Sequence, residues 1–190
     1  MKDDKLLILD CFGLFATDPL YTFFLRHVAT DPEAEKIKIC APADRGEYDY
    51  QEVLRRTARL VKLPIEEIDE EIKEIAAPRR EMIDFALQMR EKHTVALLSD
   101  CFPGFLDATF AGTAFHRCFD AEFISCRYGV SKPQEQAYRN VLDALGRDYS
   151  SIVFLDDNPR NLVPCAKLGI QGILFTDLPQ AKKKLQELGY

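Results

Sequence analysis

Polar and apolar positions fall into two textures along the chain. The stretch "KLLILD" strings Leu6, Leu7, Ile8 and Leu9 together before breaking at Asp10. An unbroken apolar run closed by an acid reads as a strand buried on both faces. From there to about residue 88 the apolar residues recur at helical spacing. "DPLYTFFLRHVA" predicts a helix with Asp18 as N-cap and Pro19 at the first position. "DYQEVLRRTARLVKL" places Val53, Leu54, Leu60 and Val61 together, Pro64 opens "PIEEIDEEIKEIA", and "PRREMIDFALQMREKH" sets Met82, Phe85, Ala86 and Met89 on one side.

The second texture begins near residue 94. "TVALLSD", "AEFISCR", "SIVFLDD" and "IQGILFT" are short apolar runs, separated by helical stretches such as "EQAYRNVLDALG" and "NPRNLVPCAKLG". Buried runs alternating with helices predict an α/β fold, a doubly wound parallel sheet covered on both faces. The organisation is a core of residues 1–15 and 89–190, with 16–88 as a small all-helical insertion. In such sheets ligands bind outside the carboxyl ends of the strands.

Composition narrows the function classes. The 190 residues suit one domain or a core with a modest insertion, and an apolar share of 47% supplies a real core. The formal charge is -6, with acids and bases interleaved, so no basic face for nucleic acid is expected. An anionic substrate stays possible, since local cations or a metal reverse the field of a site. Six cysteines show no metal-like spacing, and the apolar run of "MKDDKLLILD" is too short for a signal peptide. No segment approaches a membrane span, and free thiols fit a reducing, cytoplasmic setting. Cys11 and Cys101 sit beside acids and read as buried structural thiols.

The strand ends carry the chemistry. Asp10 follows the first run, Ser99 and Asp100 close "TVALLSD", and Asp156 and Asp157 close "SIVFLDD", with Asn158 and Asn161 behind them. Lys132 precedes Pro133 at a helix start. Each residue singly has an ordinary role as a turn former, cap or solvated charge. Together they bring acids from several strands to one edge, where carboxylates repel unless a positive group stands among them. Mg²⁺ suits such an all-oxygen site, and Lys132 with the Ser99 hydroxyl would complete a cradle for a phosphate-like anion.

The series "LLILDCFG", "VALLSD", "GVSKPQEQAY" and "SIVFLDDNPRNL" resembles the four ordered motifs of the haloacid dehalogenase (HAD) superfamily, in the branch with a small helical cap after the first strand. The resemblance covers nearly the whole chain and implies an HAD-like Rossmannoid core. It implies Asp10 as the nucleophile and Ser99 as a hydrogen-bond partner of the transferring group. Lys132 would neutralise that group's charge, and Asp100 and Asn161 would join in substrate binding. Asp157 and Asp10 would hold Mg²⁺, with Asp156 ligating or supporting it and the Phe12 carbonyl as a further ligand. The first strand should lie centrally, between those ending at Ser99 and Asp157.

Phe12 departs from the pattern. Phosphatases of the superfamily usually carry a second Asp there as general acid and base, help typically worth ~10²–10⁴-fold. Dehalogenases carry an aromatic there, in a pattern that "DCFGL" resembles, but they work without metal and tend to have small polar residues in place of the doubled acid. Three readings follow. One is a Mg²⁺-dependent phosphohydrolase of a small cytosolic phosphate ester, weak or restricted for want of the acid. The others are a hydrolase acting at carbon and a catalytically silent phosphate- or partner-binding protein. A small phosphorylated molecule is the expected partner, and a monomer or homodimer the expected state. Arg55, Arg56, Arg79 and Arg80 are candidate anion ligands, most of them better read as a solvated helix face. Tyr21, Phe23 and Phe24 are expected to pack cap on core, and no histidine is assigned to catalysis.

Overall fold

The computed structural model describes residues 2–145 and 148–190. Gly146, the last residue of the expected helix "EQAYRNVLDALG", lies outside them. Five strands, β1 (Lys5–Leu9), β2 (Thr94–Ser99), β3 (Ala121–Ile124), β4 (Ser151–Asp156) and β5 (Gln171–Leu174), pair in parallel in the order β3-β2-β1-β4-β5. β1 is thus central, flanked by the strands that end at Ser99 and Asp156.

Alternation explains the unbroken apolar runs. Leu7, Leu9, Val95, Leu97, Val153 and Leu155 face one core, while Leu6, Ile8, Ala96, Leu98 and Phe154 face another on the opposite side of the sheet. The second core is covered by α8 (Glu135–Leu145) through Ala137, Tyr138 and Val141. The first is covered by α5 (Arg80–Lys92) and α10 (Leu178–Glu187). Three short helical segments, α6 (Phe105–Thr109), α7 (Ser125–Tyr128) and α9 (Pro159–Leu162), follow β2, β3 and β4.

Four helices form the insertion: α1 (Pro19–His27), α2 (Pro32–Asp44), α3 (Tyr50–Val61) and α4 (Ile65–Ile75). Asp18 caps α1, accepting the Tyr21 N–H at 2.9 Å, as its pattern predicts. Helix α2 was not among the expected elements. Its apolar residues lack a clean helical stripe and Pro42 lies inside it, though Asp31 before Pro32 is a legible cap. α5 packs on β2. The division at residue 88 therefore falls inside a helix that belongs with the sheet, because its buried Ile83 and Phe85 serve that core. "NPRNLVPCAKLG" forms two short turns rather than one helix.

No helix among the described residues is long and apolar enough to cross a membrane.

Candidate active site

The loop after β1 folds tightly. Phe15 N–H donates to the Cys11 carbonyl at 2.8 Å and Gly13 N–H to the Ala16 carbonyl at 2.7 Å. Gly13 has φ +89°, and a Cβ there would stand 2.1 Å from an Asp157 carboxylate oxygen. Only glycine permits both the left-handed turn and this approach. Arg79 secures the same loop, donating from Nη1 to the Gly13 carbonyl at 2.5 Å. The expected solvated role fails for this one arginine, because it lies half-buried against the loop's free carbonyls. Arg55 and Arg56 pair with Glu52, and Arg80 is exposed near Asp84.

Asp10 Oδ1 accepts the Cys11 N–H at 2.7 Å and stands 2.6 Å from Lys132 Nζ. No hydrogen bond to Oδ2 is formed among the described residues. Lys132 Nζ also donates to Asp156 Oδ2 at 2.8 Å, so one ammonium bridges two buried carboxylates. Asp100 Oδ1 fixes the Lys132 backbone, accepting its N–H at 3.0 Å. Asp156 is fully buried, and both its oxygens accept the Asn161 side-chain amide, at 3.0 and 2.9 Å. Asn161 thus orients Asp156 first of all, although it also reaches the cavity wall.

The charges are strongly perturbed. Burial drives the Asp10 carboxyl well above the usual carboxylate range, against the pull of Lys132 and with a push from Asp156. Burial would depress the Lys132 ammonium, but Asp10, Asp156 and Asp100 outweigh it and hold the pKa above the usual lysine range. Burial, then Asp156, raises the Asp157 carboxyl. Burial also pushes up the Cys11 and Cys101 thiols, which removes them as ready nucleophiles.

One ligand oxygen each from Asp10, Asp156 and Asp157 lies within 4.8 Å of the others. Asp157 forms no ion pair among the described residues. Three carboxylates against the single ammonium of Lys132 leave an all-oxygen set still net negative, which fits a hard divalent cation that reverses the local field.

Asp10 and Asp157 open on a cavity of about 600 Å³ under the insertion, while Asp156 lies fully buried behind its wall. From the core it is lined by Asp10, Phe12, Asp100, Lys132, Asp157 and Asn161, and from the insertion by Asp18, Tyr21, Glu33, Lys36, Ile37 and Asp44. Tyr21 lies on this wall, unlike buried Phe23 and Phe24, because its position on α1 faces the cavity rather than the core. Ser99 is not on the wall. It is 1% exposed, and its Oγ lies against the buried Cys11 thiol rather than the cavity. The Phe12 ring reaches the wall and packs on Phe105 at 5.7 Å. His27, His93 and His116 pair with acids away from the cavity.

The family model of haloacid dehalogenase-like hydrolases matches residues 16–169. Among curated proteins, bifunctional epoxide hydrolase 2 of Sus scrofa is 39% identical over 70 residues, which are 37% of this chain and 13% of that protein. The chloroplast flavin mononucleotide hydrolase 1 of Arabidopsis thaliana is 33% identical over 67 residues, 35% of this chain and 27% of that protein. The matches therefore span only a small part of these relatives. Among solved structures, a HAD family enzyme of Bacteroides thetaiotaomicron in complex with magnesium and inorganic phosphate has a TM-score of 0.74 at 18% identity, covering 90% of this chain and 94% of that one. The L-2-haloacid dehalogenase of Xanthobacter autotrophicus has a TM-score of 0.64 at 18% identity, covering 95% and 80%. At such identities the likeness is one of fold.

Proposed function

The chain belongs to the haloacid dehalogenase-like hydrolases, and from that premise we propose that it is a Mg²⁺-dependent phosphohydrolase of a small phosphate ester. The observation that carries this reading is the oxygen triad of Asp10, Asp156 and Asp157 beside a buried lysine. A site built for a halide leaving group has no use for a doubled acid that must be neutralised. The names of two relatives, a flavin mononucleotide hydrolase and a fold neighbour solved with magnesium and phosphate, support the same reading.

Asp10, Asp157 and Asp156 would hold Mg²⁺, with the Phe12 carbonyl as a further ligand. When bound, the cation supplies positive charge against the phosphoryl oxygens. The chain's own groups do the rest. Lys132 and the Cys11 N–H fix Asp10 Oδ1, leaving Oδ2 to attack phosphorus. The bond from phosphorus to the leaving oxygen breaks as the aspartyl bond forms, and water then displaces phosphate from Asp10. Lys132 offers charge to the phosphoryl group.

Phe12 cannot protonate a leaving group. Aryl and acyl phosphates leave as weakly basic anions, so they are the substrates that these core residues suffice to cleave. The test is phosphate release from para-nitrophenyl phosphate with Mg²⁺, by wild type and by Asp10→Asn. Release that needs both Mg²⁺ and Asp10 is expected. No release from wild type would favour a silent binding protein.

A hydrolase acting at carbon is the second reading. The aromatic at position 12 favours it, since a halide departs without a proton. Asp10-dependent halide release from a 2-haloacid without metal would establish it instead.

A further inference from the structure

The acid absent at position 12 has a counterpart across the cavity. Asp44 is the last residue of α2, on the insertion side. It lines the main cavity with Asp10, Asp100 and Lys132, and a smaller adjoining one with Phe12, Asp100 and Phe105. Asp44 therefore shares both cavities with the residue whose usual task is unfilled.

Its surroundings are poor for a structural carboxylate. A helix C-terminus repels negative charge. From the insertion Asp18, Lys36, Cys40 and Arg45 act on it, and from the core Asp100, Cys101 and Cys126. The two cations are engaged elsewhere, Lys36 with Asp18 at 2.5 Å and Arg45 with Glu47 at 2.7 Å. Burial, then Asp100, pushes the Asp44 carboxyl up to about 7, against the pull of Lys36. A carboxyl of that acidity holds a proton near neutrality and can give it up.

Its position is also fixed. Two residues on, Gly46 has φ +82°, and a Cβ there would stand 2.6 Å from the Cys126 carbonyl, so the end of α2 rests directly on the core backbone. Beyond it Tyr50 stacks on Phe102 at 5.6 Å and meets Phe105 at 4.9 Å. Phe105 in turn carries the Phe12 ring. Phe12 thus helps anchor the insertion that brings Asp44 to the cavity.

We propose that Asp44 is the general acid and base of this site, serving the leaving oxygen from the insertion. The inference rests on the phosphohydrolase reading. As Asp10 Oδ2 bonds to phosphorus, the electron pair of the breaking ester bond passes to the leaving oxygen, which takes the Asp44 proton and departs as the alcohol. Water then attacks phosphorus and gives a proton to the Asp44 carboxylate. The bond to Asp10 breaks, releasing phosphate and restoring both groups.

The experiment pairs para-nitrophenyl phosphate with glycerol phosphate, with Mg²⁺, for wild type, Asp44→Asn, Asp44→Glu and Phe12→Asp/Asp44→Asn. Wild type should cleave both esters. Asp44→Asn should lose about 10²-fold or more in kcat on the alkyl ester and less than tenfold on the aryl one. For wild type, kcat/KM on the alkyl ester should fall above pH about 7 as Asp44 loses its proton, and this limb should vanish in Asp44→Asn. Asp44→Glu, or an acid regained at position 12, should recover part of the alkyl activity. Equal losses on both esters, no loss, or a rise in KM alone would overturn the role. Wild type cleaving only the aryl ester would overturn it too, while leaving the phosphohydrolase reading intact. Cleavage of neither would overturn both.

Discussion

Lys132 Nζ lies 2.6 Å from Asp10 Oδ1, with the two side chains only 2% and 10% exposed. With Asp156 on its other side at 2.8 Å, the ammonium is the only cation in direct contact with these two acids among the described residues. Removing one partner of such a buried set leaves uncompensated charge, which typically costs 3–5 kcal/mol. Lys132→Met should therefore lower unfolding free energy by about 3–5 kcal/mol at pH 7 and abolish turnover. Chemical denaturation measures the first, and an unchanged midpoint would contradict the bridge.

Mg²⁺ bound only to the folded chain should stabilise it by about 2.7 kcal/mol at a hundredfold excess over Kd. For a chain of this size that is a rise in Tm of roughly 5–10 °C. Asp157→Asn should remove most of the rise, read by calorimetry across a Mg²⁺ titration. Equal rises in both proteins would place the cation elsewhere.

Gly13→Ala probes the same centre through the backbone. The new methyl would meet the Asp157 carboxylate and strain a φ of +89°. The variant should melt lower and show a weakened response to Mg²⁺. A fully retained response would show that Asp157 need not sit on this glycine.

Asp44 makes a pH-dependent contribution to stability. Its folded pKa, about 7, lies above the ordinary carboxylate value, so the folded chain binds the proton more tightly than the unfolded one. Stability from this group is present at low pH and is lost as pH rises from about 4 to about 7, then stays level. Asp44→Asn has no such titration, so its Tm should gain on wild type across that window. Parallel Tm profiles would contradict the burial that raises this carboxyl.

The strand ends were legible in the sequence because they break strong patterns. An acid closing a doubly buried run stands out, and three such runs in a parallel sheet share one edge by topology, so Asp10, Asp100, Asp157 and Lys132 meet in one cavity as their order implies. Ser99 was less legible, since the final residue of a strand turns toward either face and only the packing after β1 sets its hydroxyl beside Cys11. Asp44 gave no signal at all. It ends a helix without a clean apolar stripe, and its importance comes from Gly46 and Tyr50 docking on residues far along the chain. Arg79 was hidden for a similar reason. Its partners are main-chain carbonyls of Gly13 and Leu14, which no side-chain pattern reveals.

The central claim is that Asp10 takes up the phosphoryl group. Wild type mixed with radiolabelled para-nitrophenyl phosphate and Mg²⁺, quenched in acid within a single turnover and digested, tests it most directly. The account predicts label on the peptide carrying Asp10, none without Mg²⁺, and none in Asp10→Asn. Nitrophenol release with no label on that peptide, or label that survives in Asp10→Asn, would contradict it.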